Sequence, residues 1–66
     1  MKISLNGQTK VITNKINLKE LIGQFCQDTK HVIAEVNGDI VRSVGWESRT
    51  INDGDTVELV NFVGGG

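Results

Sequence analysis

Cys26 is the only cysteine in this 66-residue chain, so no intramolecular disulfide can brace it. Small secreted domains commonly depend on several disulfides, and that points this chain to a reducing compartment, the cytoplasm. No apolar run approaches the roughly 20 residues that span a bilayer. Met1, Lys2, Ile3 and Ser4 begin a strand pattern rather than a signal peptide, so no membrane association is expected. Nor is either sign of charge in excess. A net charge of −1 supplies no basic footprint for nucleic acid. No Ser/His/Asp set, phosphate loop or carboxylate pair stands out. The length suits one small domain that buries about 60% of its unfolded surface, which leaves little space for a deep catalytic cleft. A binding or carrier module is expected, not an enzyme.

What is present is strongly patterned. Met1 to Asn6 alternates apolar and polar residues, the period of a half-buried strand. Asn6 and Gly7 suit the positive φ angles of a type I′ turn, and Thr9 to Thr13 supplies a β-branched second strand. Then the period changes. Leu18, Leu21, Ile22, Phe25 and Cys26 fall on one helical stripe, which predicts a helix from about Leu18 to Asp28 packed through Leu18, Leu21, Ile22 and Phe25. Asn17 stands as N-cap with Glu20 three residues on, a capping box, and Ile16 and Leu21 stand as a hydrophobic staple. Gly23 inside this helix costs about 1 kcal/mol against alanine, which suggests a close packing contact there.

His31 to Val36 reads as a third strand, Asn37 and Gly38 as a second tight turn, and Asp39 to Arg42 as a short fourth strand. Ser43 to Asn52 has no clean period and reads as loop with a helical turn around Trp46. Asp53, Gly54 and Asp55 form a turn, and Thr56 to Phe62 a fifth strand. A single amphipathic helix must be covered by the sheet, so the fold class is α+β with two layers. The helix links strands two and three, the arrangement of a β-grasp.

Several polar residues look structural. Cys26 lies on the apolar stripe, which favours a buried thiol over a reactive one. His31 has no Cys or His at ligand spacing, and Asp53 and Asp55 lack the further ligands of a calcium loop. No metal site is expected. Trp46 reads as an anchor for its loop. Charge is uneven along the chain: residues 1–33 carry five lysines against Glu20 and Asp28, whereas residues 34–66 carry two arginines against six acids. Either an acidic C-terminal half steers a basic partner, or the charges are scattered solvation.

The chain resembles the ThiS family, thiamin-biosynthesis sulfur carriers with a ubiquitin-like β-grasp fold. The resemblance runs the whole length. It is strongest at Asn6 and Gly7, at Val36, Asn37 and Gly38, at Trp46, at Asp53, Gly54 and Asp55, and from Phe62 through Val63, Gly64, Gly65 and Gly66. Members often place a proline after the Ile-Val of the fourth strand; this chain has none, and Arg42 stands there. The resemblance implies a β-grasp domain of residues 1–63 with about five strands in a mixed sheet, and a flexible tail of residues 64–66. It implies that the Gly66 carboxylate is the site of covalent modification, with Gly64 and Gly65 recognised as the tail enters a partner. A partner adenylates that carboxylate with ATP, and a persulfide or sulfide displaces AMP to leave a thiocarboxylate. The implied partners are a ThiF-like adenylyltransferase, a thiazole synthase and a sulfur donor; ATP is consumed by the activating partner and no cofactor is bound.

Glycine suits such a tail because a Cβ would meet the walls of a nucleotide site. Val63 to Gly66 reach about 13 Å when extended. Strand alternation, with its phase set by the resemblance, turns Val57 and Leu59 toward the helix and Val60 and Phe62 outward. Val60, Phe62 and Val63 then form a docking surface beside the tail, unless Phe62 folds back onto the core edge. The small subunit of molybdopterin synthase, or another ubiquitin-like sulfur carrier, is the alternative within the class. A β-grasp module that binds without covalent change is the alternative outside it.

Overall fold

Asn6 and Gly7 take φ angles of 51° and 80°, and Asn37 and Gly38 take 53° and 86°. Only Gly, with Asn next, occupies this left-handed region at low cost, so both pairs close tight hairpins as their sequences predict. The computed structural model describes residues 1–61, and Phe62, Val63, Gly64, Gly65 and Gly66 lie outside the described residues. The first hairpin joins β1 (Lys2–Leu5) to β2 (Gln8–Val11), and the second joins β3 (Val32–Val36) to β4 (Asp39–Val41). Between them lies α1 (Leu18–Phe25), and the last strand is β5 (Thr56–Asn61). Short 3-10 turns occupy Thr29–His31 and Ser43–Gly45.

The sheet runs in the order β2-β1-β5-β3-β4. β5 enters the centre parallel to β1 and antiparallel to β3, and both hairpins are antiparallel. The result is the expected five-stranded mixed sheet with one helix across it, a β-grasp. One sheet face supplies Ile3, Leu5, Val32, Ala34, Val36, Val57 and Leu59, all buried against Leu18, Leu21 and Ile22 of the helix. Ile12, Ile16, Trp46 and Ile51 close the core from the loops.

The start of α1 is fixed by its own capping box. Asn17 Oδ1 accepts the Glu20 N–H at 2.8 Å, and Glu20 Oε1 accepts the Asn17 N–H at 3.0 Å. Two further N–H groups of the first turn donate outside the helix, Leu18 to the Arg49 carbonyl and Lys19 to the Trp46 carbonyl. The loop after β4 is thus bonded to the helix start, and Trp46 secures it by donating Nε1–H to the Val41 carbonyl at 2.8 Å.

Several expectations for the helix need correction. α1 stops at Phe25, with Cys26 in extended backbone as its C-cap, not at Asp28. Phe25 is 47% exposed rather than packed into the core. Helical period fixes the angle of a side chain about the axis but not how far the sheet reaches along it. In the last turn, Phe25 borders an open groove of about 320 Å³ beside Leu5, Lys10 and Leu59. Lys10 Nζ sits 5.7 Å from the ring centre, a cation–π contact at an exposed site. Gly23 makes no close contact either, since a Cβ there meets nothing within 4 Å. Cys26 is only partly buried at the core margin.

Candidate functional site

β5 is the last described element before Gly66, so the residues that fix β5 bear on the expected site. Its first residues are gripped by the second hairpin. Asn37 N–H donates to the Thr56 carbonyl at 2.8 Å, and Asn37 Oδ1 accepts the Thr56 N–H at 2.9 Å. The other end of that amide donates to Asp55 Oδ1, while Asp55 Oδ2 accepts the Asn52 N–H. Asp55 is consequently a buried carboxylate with both oxygens bonded. Asp53 accepts the Lys2 N–H, and Gly54 donates to the Lys2 carbonyl. Asp53 to Asp55 is the turn its sequence predicts, and the structure shows that it docks β5 beside β1.

The first hairpin grips β5 further along. Asn6 N–H donates to the Val57 carbonyl at 2.9 Å. Its side-chain Oδ1 accepts the Leu59 N–H at 2.8 Å, and its Nδ2 donates to the Leu59 carbonyl at 3.2 Å. Sequence reasoning identified both Asn-Gly pairs as turns and missed these side-chain clamps, whose partners lie 53 and 19 residues away.

Val57 and Leu59 face the helix and Val60 is half exposed on the opposite sheet face. Ile33 of β3 stands directly opposite Val60 in the ladder and is also exposed. Ile40 of β4, opposite Glu35, adds a third exposed aliphatic residue. Glu58 stands directly opposite Glu35. Thus the outer face combines a Val60–Ile33 pair with two carboxylates beside it, and neither Glu is in an ion pair among the described residues. Ile33 was legible in principle: Val32, Ala34 and Val36 point inward, so alternation turns Ile33 out. Phe62 and Val63, the other expected docking residues, lie outside the described residues, as do Gly64, Gly65 and Gly66.

The remaining polar groups are local. Asp28 Oδ2 lies 2.8 Å from His31 Nδ1, and Asp28 Oδ1 accepts the Lys30 N–H at 3.0 Å. The His31 contact first, then the Lys30 N–H, holds the Asp28 carboxyl below its ordinary value. Among the described residues, no group of three or more His, Cys, Asp or Glu side chains could hold a metal ion. No described helix is long and apolar enough to cross a membrane.

A mixed five-stranded sheet grasping one helix, with its central strand held by both hairpins, defines a ubiquitin-like β-grasp domain. The ThiS family model matches residues 3–66. The chain belongs to the ThiS family, the β-grasp sulfur carriers of thiamin biosynthesis. The crystal structure of the thiamine biosynthesis protein (ThiS) from Geobacter metallireducens superimposes with a TM-score of 0.85 at 29% identity, covering all of both chains. An uncharacterized protein, ycf40, of Trieres chinensis is 37% identical over 94% of this chain and 85% of its own length. A thiazole synthase of Paramagnetospirillum magneticum is 33% identical over the full chain, which spans 20% of that relative's length.

Proposed function

We propose that this protein carries sulfur as a thiocarboxylate on Gly66 and delivers it for the thiazole ring of thiamin. The observation that carries the proposal is the family match running through Gly66. Residues 1–63 act as the recognition domain and residues 64–66 as the tail, with Gly64 and Gly65 slender enough to enter a partner's site. A free α-carboxylate has a pKa of about 3.3–3.7, so it is ionised in the cell and a poor electrophile. It must first be activated.

A ThiF-like adenylyltransferase supplies that step. A carboxylate oxygen attacks the α-phosphorus of ATP, pyrophosphate leaves, and the glycyl carbonyl becomes an acyl-adenylate. Sulfide displaces AMP to give the thiocarboxylate directly. A persulfide donor gives an acyl disulfide instead, which a second thiol cleaves to thiocarboxylate while itself forming the new disulfide. Thiazole synthase is the proposed acceptor. A relative named thiazole synthase contains a segment similar to the whole of this chain, which supports that pairing. ATP and thiols are both abundant in the cytoplasm, the proposed compartment.

Docking is assigned to the outer face at Val60, with Ile33 beside it and Phe62 and Val63 following in sequence. Exposed aliphatic side chains in one patch favour a protein partner, and Glu35 and Glu58 favour a basic one. The test is intact mass after incubation with ATP, a ThiF-like adenylyltransferase and sulfide. The chain should gain the mass difference between sulfur and oxygen, localised to the C-terminal peptide. Sulfur on Cys26, or no gain at all, overturns the proposal.

A further inference from the structure

Asn6 behaves toward β5 as if it were one more strand residue. The β1–β5 ladder pairs Ser4 with Thr56 and Leu5 with Val57, and there the β1 backbone turns away into the hairpin. Asn6 nevertheless bonds two further groups of β5 beyond that pairing, because its amide reproduces a peptide. Oδ1 takes the Leu59 N–H and Nδ2 gives to the Leu59 carbonyl. The ladder on this side therefore ends at Leu59 rather than at Val57. Further along, Asn61 borders the open groove beside Phe25 and Lys10, and among the described residues β5 is paired there only with β3.

Among the described residues, Leu59 is thus the last of β5 bonded on its β1 side, and a turn residue holds it there while Ala34 stands opposite in β3. We propose that Asn6 is a positioning residue for tail activation: its side-chain amide fixes the β1 side of β5 at Leu59, and that anchor bears on where the Gly66 carboxylate arrives in a partner. The inference rests on the sulfur-carrier reading of Gly66. Without the clamp, among the described residues, the backbone of residues 59–61 keeps the β3 ladder and the buried Leu59 side chain, and each residue loosened must be re-ordered whenever the tail is threaded into a partner. A reacting group displaced by about 1 Å can lose on the order of 100-fold in rate.

The test uses Asn6→Gly and Asn6→Asp in the full chain. Glycine accepts the positive φ of the turn and removes the amide; aspartate keeps an acceptor for the Leu59 N–H and loses the donor. Three readouts are compared: hydrogen exchange at the Leu59 amide, Kd for a ThiF-like adenylyltransferase, and kcat for AMP release in the presence of ATP and sulfide. Asn6→Gly should speed Leu59 exchange, lower kcat by about tenfold to 100-fold and leave Kd within about twofold, since Val60 and Ile33 are intact. Asn6→Asp should fall between. An unchanged kcat overturns the inference. So does a fall matched by Kd or by the unfolded fraction seen in circular dichroism, which is what a merely structural role gives. Failure of the parent chain to be activated at all overturns the sulfur-carrier reading itself, and that result is read before any variant is compared.

Discussion

Asn37 and Asp55 meet side chain to side chain, Nδ2 to Oδ1 at 2.9 Å, across 18 residues of sequence. The contact joins the tip of the second hairpin to the entry of β5, and Asp55 uses its other oxygen on the Asn52 N–H. Asp55→Ala removes both contacts from donors on the exposed residues Asn37 and Asn52, and intramolecular hydrogen bonds contribute about 0.5–1.5 kcal/mol each. The urea midpoint should fall accordingly with an unchanged slope. An unaltered midpoint contradicts the bracing role.

Leu21 and Phe25 share one helical stripe but not one environment. Leu21 is fully buried and Phe25 half exposed, so Leu21→Ala should cost about 2–5 kcal/mol. Phe25→Ala should cost about 1 kcal/mol, for partial apolar burial and an exposed cation–π contact. Paired denaturant titrations decide the order. Equal losses contradict it.

The tail prediction is one of length and shape. Deleting Gly66 leaves the carboxylate of Gly65 one residue short, and activation should drop on the order of 100-fold while the thermal midpoint stays where it was. Gly65→Ala should also slow activation through its Cβ, again with stability unaltered. Thiocarboxylation followed by intact mass against time measures both. A truncated chain that reacts as fast as the parent removes Gly66 from the reaction.

Ile33 gives the docking proposal a test within the described residues. Ile33→Ser removes apolar surface from the outer face without entering the core, and should weaken binding to the adenylyltransferase by about 1 kcal/mol, roughly fivefold. Raising salt should slow association further, because Glu35 and Glu58 act through screened charge. Unchanged affinity in a folded variant counts against the patch.

Asp28 supplies a pH prediction. Its folded value lies below the ordinary 3.8, chiefly through His31 and then the Lys30 N–H. A lowered folded value means the contact's contribution is present above the unfolded value and is lost as pH falls through the folded one. An NMR titration of the Asp28 carboxyl should show this midpoint, and His31→Ala should move it back toward 3.8. Asp28 is exposed and His31 only partly buried, so the thermal midpoint should barely change.

Local chemistry made much of this fold legible. The capping box of Asn17 and Glu20 and the two Asn-Gly turns depend on neighbours within a few residues, and both occur as the sequence predicts; the inward phase of Val57 and Leu59 follows from the family resemblance and also holds. Phe25 shows where such reasoning stops, since its burial depends on how far the sheet extends beneath the last turn. Gly23 shows the same for a packing contact inferred from one unfavourable residue. The clamps were illegible for a different reason. Nothing local to Asn6 indicates that Leu59 waits 53 residues away, and only the parallel insertion of β5 beside β1 brings them together.

That insertion also governs when the domain can exist. β5 occupies the middle of the sheet, between the hairpin made by residues 2–11 and the one made by residues 32–41. During synthesis the two hairpins emerge first, each marginal alone, with no backbone bonds joining them. Pairing Ser4 and Leu5 with Thr56 and Val57 closes nearly the whole described chain, a high contact order that slows folding. A nascent chain therefore stays unassembled until its fifth strand has been made, and a product cut off before residue 56 has no sheet to fold into. The exposed pair of Ile33 and Val60 is thus completed only by the strand made last among the described residues.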